Sequence, residues 1–528
     1  MRISTTGSQV LINRASRLLG QFELYWMTCL LLSNDGPLKS VAVRCNILQA
    51  QSDDIAPAEL AINRQVKKSK VAQPFLHLEL SPNGPNNPEA TAAAFSSGDL
   101  VSTDSAGNVT LTGRLKDLIN RGGVKYNPLE VEPLIESLPA FLQCAIMPNP
   151  HAFHLHVPDE TLREIRDRVA NFPWHEMPDD GGWAYGTNLD YMKELSDYWV
   201  TTFDWRKQEA AINRFSNFTA PIDGIDIHFI HEKGSGPAPL PLIISHGWPG
   251  SVVEFLEIIE PLAHPERFGG DPEDAFDVIA PSLPGFGFSG RPPRPIGPRK
   301  VASLFATLMS DVLGYDGYLA QGGDWGGGIS GWLGFDAAPA CKAVHLNIMQ
   351  VRHPDGPQTQ EERDWAERFP QEQELEEGYR IQQGTKPQTL SYAMMDSPVG
   401  IAAWLVEKFN SWSDTDGDDI ESAHSKDTLL TNIMVYIVTR TFNTASWIYY
   451  GRREEGGRVM NTDGRRVEVP TACALFPKEL LRWPPRSYVE RMFNVQRWTE
   501  MPKGGHFAAM EQPDLLIDDI RAFARSIR

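Results

Sequence analysis

The sequence predicts an α/β fold in which a buried, parallel sheet presents chemistry at the carboxyl ends of its strands. Two observations carry that prediction. Short apolar runs such as Leu242-Ile243-Ile244-Ser245 and Tyr318-Leu319-Ala320 have the length and makeup of strands buried on both faces. Each runs into a glycine-punctuated loop, and the second loop opens a helix-like stretch through Gly327-Gly328-Ile329. The chain has 528 residues, enough for about two to four domain-sized units, and its 41% hydrophobic content is ample for a sizeable core.

Taken in chain order, the first loop is His246-Gly247-Trp248-Pro249-Gly250-Ser251, whose backbone N–H groups, Trp248 among them, could bind an oxyanion. The second, Gly322-Gly323-Asp324-Trp325-Gly326, has the small-x-nucleophile-x-small pattern of a strained strand-to-helix elbow, where glycine is needed because the turn leaves no room for a Cβ. Its apex is Asp324 rather than a serine. A carboxylate attacks an electrophilic sp3 carbon well but serves acyl transfer poorly, because it would form an anhydride there, so the chemistry expected is alkyl transfer to Asp324. The N–H of Trp325 would be the second oxyanion donor. Further on, Val469-Pro470-Thr471-Ala472-Cys473-Ala474-Leu475-Phe476 reads as a strand leading to Pro477-Lys478-Glu479, which places Glu479 just beyond a strand end as an orienting acid; Asp463, Glu468 and Asp514 compete for that role. Last, residues 495–498 read as a strand before Lys503-Gly504-Gly505-His506-Phe507, putting His506 where a general base belongs. The order nucleophile, acid, base is that of the α/β-hydrolase triad. The expected architecture is an α/β-hydrolase core from residues 220–349 and 466–528, a helical lid over 350–465, and an N-terminal meander at 152–219 that begins with a helix after Pro158, with Leu162, Ile165 and Val169 as its apolar stripe.

With these motifs in order, residues from about 152 to 528 resemble an epoxide hydrolase of the microsomal type. The likeness includes Asp204-Trp205-Arg206-Lys207-Gln208 and Ile225-Asp226-Ile227-His228-Phe229-Ile230-His231, similar to the family's N-terminal meander. It also includes His246 to Pro249, Pro281-Ser282-Leu283-Pro284-Gly285-Phe286-Gly287-Phe288-Ser289, the elbow, and Gly504-Gly505-His506-Phe507-Ala508-Ala509. The resemblance implies that Asp324 opens a small lipophilic epoxide and that water activated by His506, held by Glu479, releases a vicinal diol. No metal or organic cofactor enters such a cycle. The leaving oxygen needs a proton, for which a phenol of ordinary pKa ~10 is a suitable donor. The family uses two lid tyrosines. The resemblance puts the first at Tyr379, in Glu377-Gly378-Tyr379-Arg380, and the second in Trp447-Ile448-Tyr449-Tyr450, where Tyr449 is the better match and Tyr450 keeps the register open. A haloalkane dehalogenase would share Asp324, Trp325 and a histidine base but has no use for paired tyrosines. From a different class, a catalytically inactive binding or fusion protein is the remaining alternative, against which the intact Asp324, Glu479 and His506 count.

A net charge of −19, from 49 basic and 68 acidic residues, argues against nucleic acid and anionic membranes as partners. The expected partners are an epoxide and water, with a homodimer left open. The lid acids from Glu361 and Glu362 to Glu376 and Glu377 read as a solvated helix face, and Asp414-Thr415-Asp416-Gly417-Asp418-Asp419 as a solvated loop that departs from calcium-loop spacing. Five scattered cysteines support neither a disulfide framework nor a zinc site. The apolar run 24–32 is too short to cross a membrane, so the expected location is cytoplasmic or peripheral at the endoplasmic reticulum, without a transmembrane anchor.

Residues 1–86 carry no recognisable motif and are expected to be poorly ordered. Residues 87–150, with Ser97-Gly98-Asp99-Leu100, Gly113-Arg114-Leu115-Lys116-Asp117 and Pro128-Leu129-Glu130-Val131-Glu132, resemble a C-terminal fragment of an acyl-adenylate-forming, AMP-binding enzyme. The resemblance makes Asp99 a remnant ribose site. The phosphate loop and the large subdomain of that family are missing, so ligase activity is not expected, and a gene fusion or a gene-model artefact would explain the join. Within this segment Val109-Thr110-Leu111 alternates like a strand and 130–138 suits a helix.

Overall fold

The computed structural model describes residues 150–528 apart from residue 461, and, nearer the N-terminus, the backbone of seven short strands. The chain divides into two units, Met1–Asn149 and Pro150–Arg528. In the first, Tyr25–Leu31 pairs antiparallel with both Lys39–Cys45 and Cys144–Ile146. Asp99–Thr103 pairs with Val109–Arg114, the strand its alternation predicts, and Ile119–Arg121 pairs with Val124–Tyr126. The helix expected over 130–138 lies outside the described residues.

The second unit begins with β1 (His151–Ala152) and three helices: α1 (Asp159–Ala170), α2 (Leu189–Thr201) and α3 (Trp205–Asn213). Pro158 stands at the N-cap of α1, and Ile165 and Val169 are buried while Leu162 is half-buried, so the stripe is narrower than expected. Asn188 and Asp204 cap α2 and α3 by accepting N–H bonds from the first turn.

The strands that follow are β2 (Asn217–Ile222), β3 (Ile225–Glu232), β4 (Leu240–Ser245), β5 (Phe276–Pro281), β6 (Tyr318–Gly322), β7 (Cys341–Leu346), β8 (Val467–Leu475) and β9 (Phe493–Glu500). They form one nine-stranded sheet in the order β9-β8-β7-β6-β4-β5-β3-β2-β1. Strands β4 to β9 pair in parallel, whereas β3, β2 and β1 add an antiparallel edge. The sheet therefore reaches back to residue 151, into the stretch expected to be meander alone, because β1 pairs with β2. Apolar side chains such as Leu242, Ile244, Val278 and Leu319 are fully buried and pack in one core with Leu516 and Ile520 of the C-terminal helix Pro513–Ala524. This is the two-faced burial that near-continuous apolar strands require.

Helix α4 (Pro298–Thr307) packs against α5 (Asp324–Asp336), which leaves the end of β6 directly. The lid supplies α6 (Gln360–Gln373), α7 (Glu377–Thr385), α8 (Pro387–Met394), α9 (Pro398–Trp412), α10 (Lys426–Val438) and α11 (Phe442–Glu454). Two acids expected on a solvated face are not there: Glu376 is half-buried and accepts from Lys408 Nζ and Trp412 Nε1, and Glu362 departs further. Glu362 is only 1% exposed, closes a capping box with Thr359, and accepts bonds from Ser487 Oγ at 2.9 Å and Arg491 Nη2 at 2.9 Å. Its position as third residue of the helix points its carboxylate back at the helix start and into the body of the protein. In the acidic loop, residues 416–419 are exposed as expected, but Asp414 accepts a 2.8 Å bond from Gly504 N. No described helix is long and apolar enough to cross a membrane.

Candidate active site

The elbow is built as its glycines demand. Asp324 sits at φ 43°, a left-handed conformation that costs a non-glycine residue about 1–3 kcal/mol and persists only where the surroundings enforce it. A Cβ on Gly322 would lie 2.2 Å from the backbone of Gly326, and one on Gly326 would lie 1.8 Å from Ser245 O, so neither position accepts a side chain. The carboxylate is held from two sides: Trp248 N donates to Oδ1 at 2.8 Å and Gln350 Nε2 donates to Oδ2 at 3.1 Å. The Trp248 loop is itself clamped by the lid, since Asn432 Nδ2 donates to Pro249 O at 2.8 Å and Tyr436 OH to Gly250 O at 2.7 Å. His246 braces the same loop from below. Its Nε2 accepts from Leu283 N at 3.1 Å, so Nδ1 carries the proton and donates to Gly247 O at 3.0 Å. Burial lowers its pKa to about 4, which keeps this imidazole neutral and makes it a brace rather than a base.

His506 stands between two carboxylates. Its Nδ1 lies 2.9 Å from Glu479 Oε1 and 3.1 Å from Oε2, and its Nε2 lies 3.5 Å from Asp324 Oδ2. Burial alone would depress its pKa, but the charge of Glu479 and then Asp324 outweigh that and hold it well above the ordinary value. The histidine loop is pinned by groups the sequence does not advertise. Glu511 accepts from Gly505 N at 2.8 Å and Phe507 N at 2.9 Å, and Trp412 O accepts from His506 N at 2.9 Å. Glu479 is 9% exposed, whereas its competitors Asp463, Glu468 and Asp514 are exposed.

Aromatic rings close the space over Asp324. Tyr379 of α7 stacks on Trp248 at 5.0 Å, and Tyr449 of α11 stands edge-on to Trp325 at 4.7 Å, to Tyr379 at 5.8 Å and to Trp248 at 5.9 Å. Of the two tyrosines left open in the sequence, Tyr449 lines the chamber and is 3% exposed, against 37% for Tyr450. Burial, and then the charge of Asp324, raise the pKa of Tyr379, and burial raises that of Tyr449, so both are protonated donors at neutral pH. Asp324, Tyr379, Tyr449, Gln350 and His506 line one chamber of about 20 Å³, room for little more than a water molecule. A second small chamber, of about 10 Å³, is lined by Gly247, Glu254, Asp324 and His506.

This arrangement matches known proteins over about seven tenths of the chain. Residues 150–255 fit the family described as "Epoxide hydrolase N terminus", and 241–395 fit "alpha/beta hydrolase fold". The chain is 35% identical over 398 residues to "Epoxide hydrolase 1" of Sus scrofa, covering 70% of this chain and 87% of that protein. The chain belongs to the epoxide hydrolase family. Among solved structures, the epoxide hydrolase of Aspergillus niger is 30% identical with a TM-score of 0.63, covering 72% of this chain and 97% of its own. Juvenile hormone epoxide hydrolase from the silkworm Bombyx mori is 26% identical, with a TM-score of 0.63 over 72% of this chain and 94% of its own.

For this epoxide hydrolase, every residue singled out from the sequence as catalytic lies at one place: Asp324, His506, Glu479, Tyr379 and Tyr449, with Trp248 and Trp325 beside them. Trp248 N engages the carboxylate, while the Asp324 carboxylate's other donor is Gln350 rather than Trp325 N. Gln350 escaped notice because it follows β7 in a stretch without punctuation. Glu254 was missed too; burial raises its carboxyl pKa to about 8, so it is largely protonated beside His506. Asp99, by contrast, belongs to the first unit, and the matched families begin only at residue 150.

Proposed function

We propose that this chain converts epoxides to vicinal diols through a covalent ester on Asp324. The observation that carries the reading is the set of four groups on one small chamber: a carboxylate anchored at one oxygen, an imidazole braced by an acid, and two protonated phenols. Oδ1, fixed by Trp248 N–H, is the oxygen that stays carbonyl-like, and Oδ2 attacks the ring carbon. The C–O bond of the epoxide breaks, and Tyr379 and Tyr449 bind the departing oxygen and deliver its proton. Forming the ester removes the charge of Asp324, and with it one of the two influences holding His506 protonated. His506 then gives up its proton more readily; passed to the tyrosinate that ring opening leaves behind, that proton restores the phenol, so alkylation itself readies the base for the second step. Water deprotonated by His506 attacks the ester carbonyl, Trp248 N–H and the adjoining Trp325 N–H receive the oxyanion on Oδ1, and the diol leaves with Asp324 restored.

Two phenols suit a ring oxygen that remains attached to the product and must be protonated; a halide leaving group has no such need, so the dehalogenase alternative gains nothing from this site. The test is His506→Gln exposed to styrene oxide: intact-protein mass spectrometry should show one covalent adduct per chain, on the peptide bearing Asp324. A variant that hydrolyses the probe at the native rate with no adduct would refute the two-step path.

For residues 87–150 we infer descent from an AMP-binding enzyme, on the resemblance carried by the Asp99 and Gly113 to Asp117 motifs. Its readout is ATP binding by the full chain, which Asp99→Ala should reduce if the ribose site survives; no ATP binding would mean that the site is lost.

A further inference from the structure

Cations crowd the far wall of the catalytic chamber in a way the hydrolytic cycle does not use. Arg452, near the end of α11, is 8% exposed, and its guanidinium lies 4.4 Å over the ring of Trp325. Among the described residues its guanidinium makes no ion pair and donates no hydrogen bond. Arg458, half-buried in the loop after α11, makes no ion pair among the described residues, although the charge of Glu377 acts on it; it lies 5.3 Å over Phe369, and its Nε is buried without a hydrogen-bond partner. Behind them Arg352 donates only to the carbonyls of Met349 at 3.1 Å and Val351 at 3.0 Å, and its Nη2 is also buried and unpartnered. Burial first, and then repulsion from Arg458, lower the pKa of Arg452 to about 10 and of Arg352 to about 9. Buried cations without an anion are costly and rare, and a structure that keeps them invites an anion from outside.

The acids nearby are already engaged. Glu377 pairs with Arg380, Glu376 with Lys408 at 3.2 Å and Trp412 Nε1 at 2.8 Å, and Glu455 accepts from the backbone N–H groups of Arg299 at 3.0 Å and Lys300 at 3.2 Å. Position matters as much as charge. Arg452 and Arg458 line the catalytic chamber and also two further cavities, of about 220 Å³ and about 190 Å³, so they are the wall common to all three. Tyr449 and Arg452 are three residues apart on one helix, which sets their side chains on the same face with Cβ atoms about 5–6 Å apart.

We propose that Arg452 and Arg458 form a carboxylate-binding subsite, and that the preferred substrates are epoxides carrying a carboxylate a few bonds from the ring. This deepens the hydrolase reading and rests on it. With the ring oxygen at the phenols of Tyr379 and Tyr449 and a ring carbon at Asp324, a carboxylate about one helical turn away meets the planar donor fork of Arg452, a geometry that suits bidentate pairing. A single negative charge fits better than a dianion, because Asp324 shares the chamber. The wholly lipophilic epoxide expected from the sequence would leave the buried Arg452 and the half-buried Arg458 without an anion.

The test compares 4-(oxiran-2-yl)benzoate with its isosteric amide on the full chain. The acid should have a kcat/KM about tenfold or more above the amide at low ionic strength, with the advantage shrinking as salt rises. In Arg452→Gln and Arg458→Gln the acid-over-amide ratio should fall toward one, and Arg452→Lys, which keeps the charge without the fork, should retain part of it. Equal rates for acid and amide in the native chain, or variants that slow both probes alike and leave the ratio unchanged, would overturn the proposal and make the arginines supports for the tyrosines. Binding of unreactive 4-ethylbenzoate against 4-ethylbenzamide, by calorimetry, separates this from the hydrolase reading. Carboxylate-selective binding lost in Arg452→Gln but without turnover of either epoxide would sink the hydrolysis and keep the subsite; turnover without carboxylate-selective binding would do the reverse.

Discussion

The sheet side of the site and the lid side are built by different means. On the sheet side, position comes from backbone: the elbow fixes Asp324 at φ 43°, a main-chain N–H holds its Oδ1 at 2.8 Å, and main-chain bonds to Glu511 and Trp412 hold the His506 loop. On the lid side, position comes from side-chain packing, with Tyr379 stacked on Trp248 and Tyr449 held edge-on to Trp325. The difference teaches where each kind of function can reside. Covalent chemistry needs a nucleophile fixed within a fraction of an ångström and sits on the rigid frame. On the reading proposed above, proton delivery and substrate choice sit on helices whose side chains can be exchanged while the frame stays intact.

Substitutions on the two sides should then fail in different ways. The largest effect falls on the frame: Asp324→Ala should lower diol formation from styrene oxide on the order of 10⁴-fold or more, measured by chromatography, and activity well above background would remove that residue from its role. On the lid, Tyr379→Phe and Tyr449→Phe should each slow ring opening by about 10²-fold while sparing hydrolysis of the preformed ester, which rapid-quench kinetics can separate. If the double variant opens the ring at the native rate, the proton comes from elsewhere and the comparison breaks down.

A smaller effect sharpens the frame itself. The charge of Glu479 raises the pKa of His506, and the base step requires neutral His506, so hydrolysis of the ester should accelerate as pH rises through that raised value. Glu479→Gln removes the influence, leaving burial to push the imidazole down. The rising limb of the ester-hydrolysis rate should therefore move to lower pH while its plateau drops by about 10–10²-fold for want of an oriented base. A limb that stays in place would mean that Glu479 does not set the charge of His506.

What the sequence discloses follows the same division. Asp324 is legible because a sharp turn forces glycines around it, and Gly322 and Gly326 indeed have no room for a Cβ. His506 and Glu479 are legible because they follow strands whose apolar composition marks them. Tyr379 and Tyr449 carry no local signal and come only from family resemblance, since a helix states nothing about which cavity its aromatic faces. Gln350, Glu254, Glu511 and the arginine cluster acquire meaning through contacts that the chain's order does not reveal. Glu362 was misread for a related reason. A run of acids suggests a solvated face, yet its partner Arg491 lies 129 positions away and its capping-box geometry turns it inward. At the N-terminus, the strand at Val109–Arg114 is visible from alternation alone.

The central claim is that a ring carbon becomes bonded to Asp324 and is released by attack of water on the carboxyl carbon. Repeated turnover in water enriched in oxygen-18, followed by digestion and mass spectrometry, measures it directly. The account predicts that the peptide bearing Asp324 gains the heavy isotope, and that diol from a single turnover with enzyme in excess carries none. An unlabelled peptide together with diol labelled from the first turnover would contradict it, because water would then have attacked the epoxide itself.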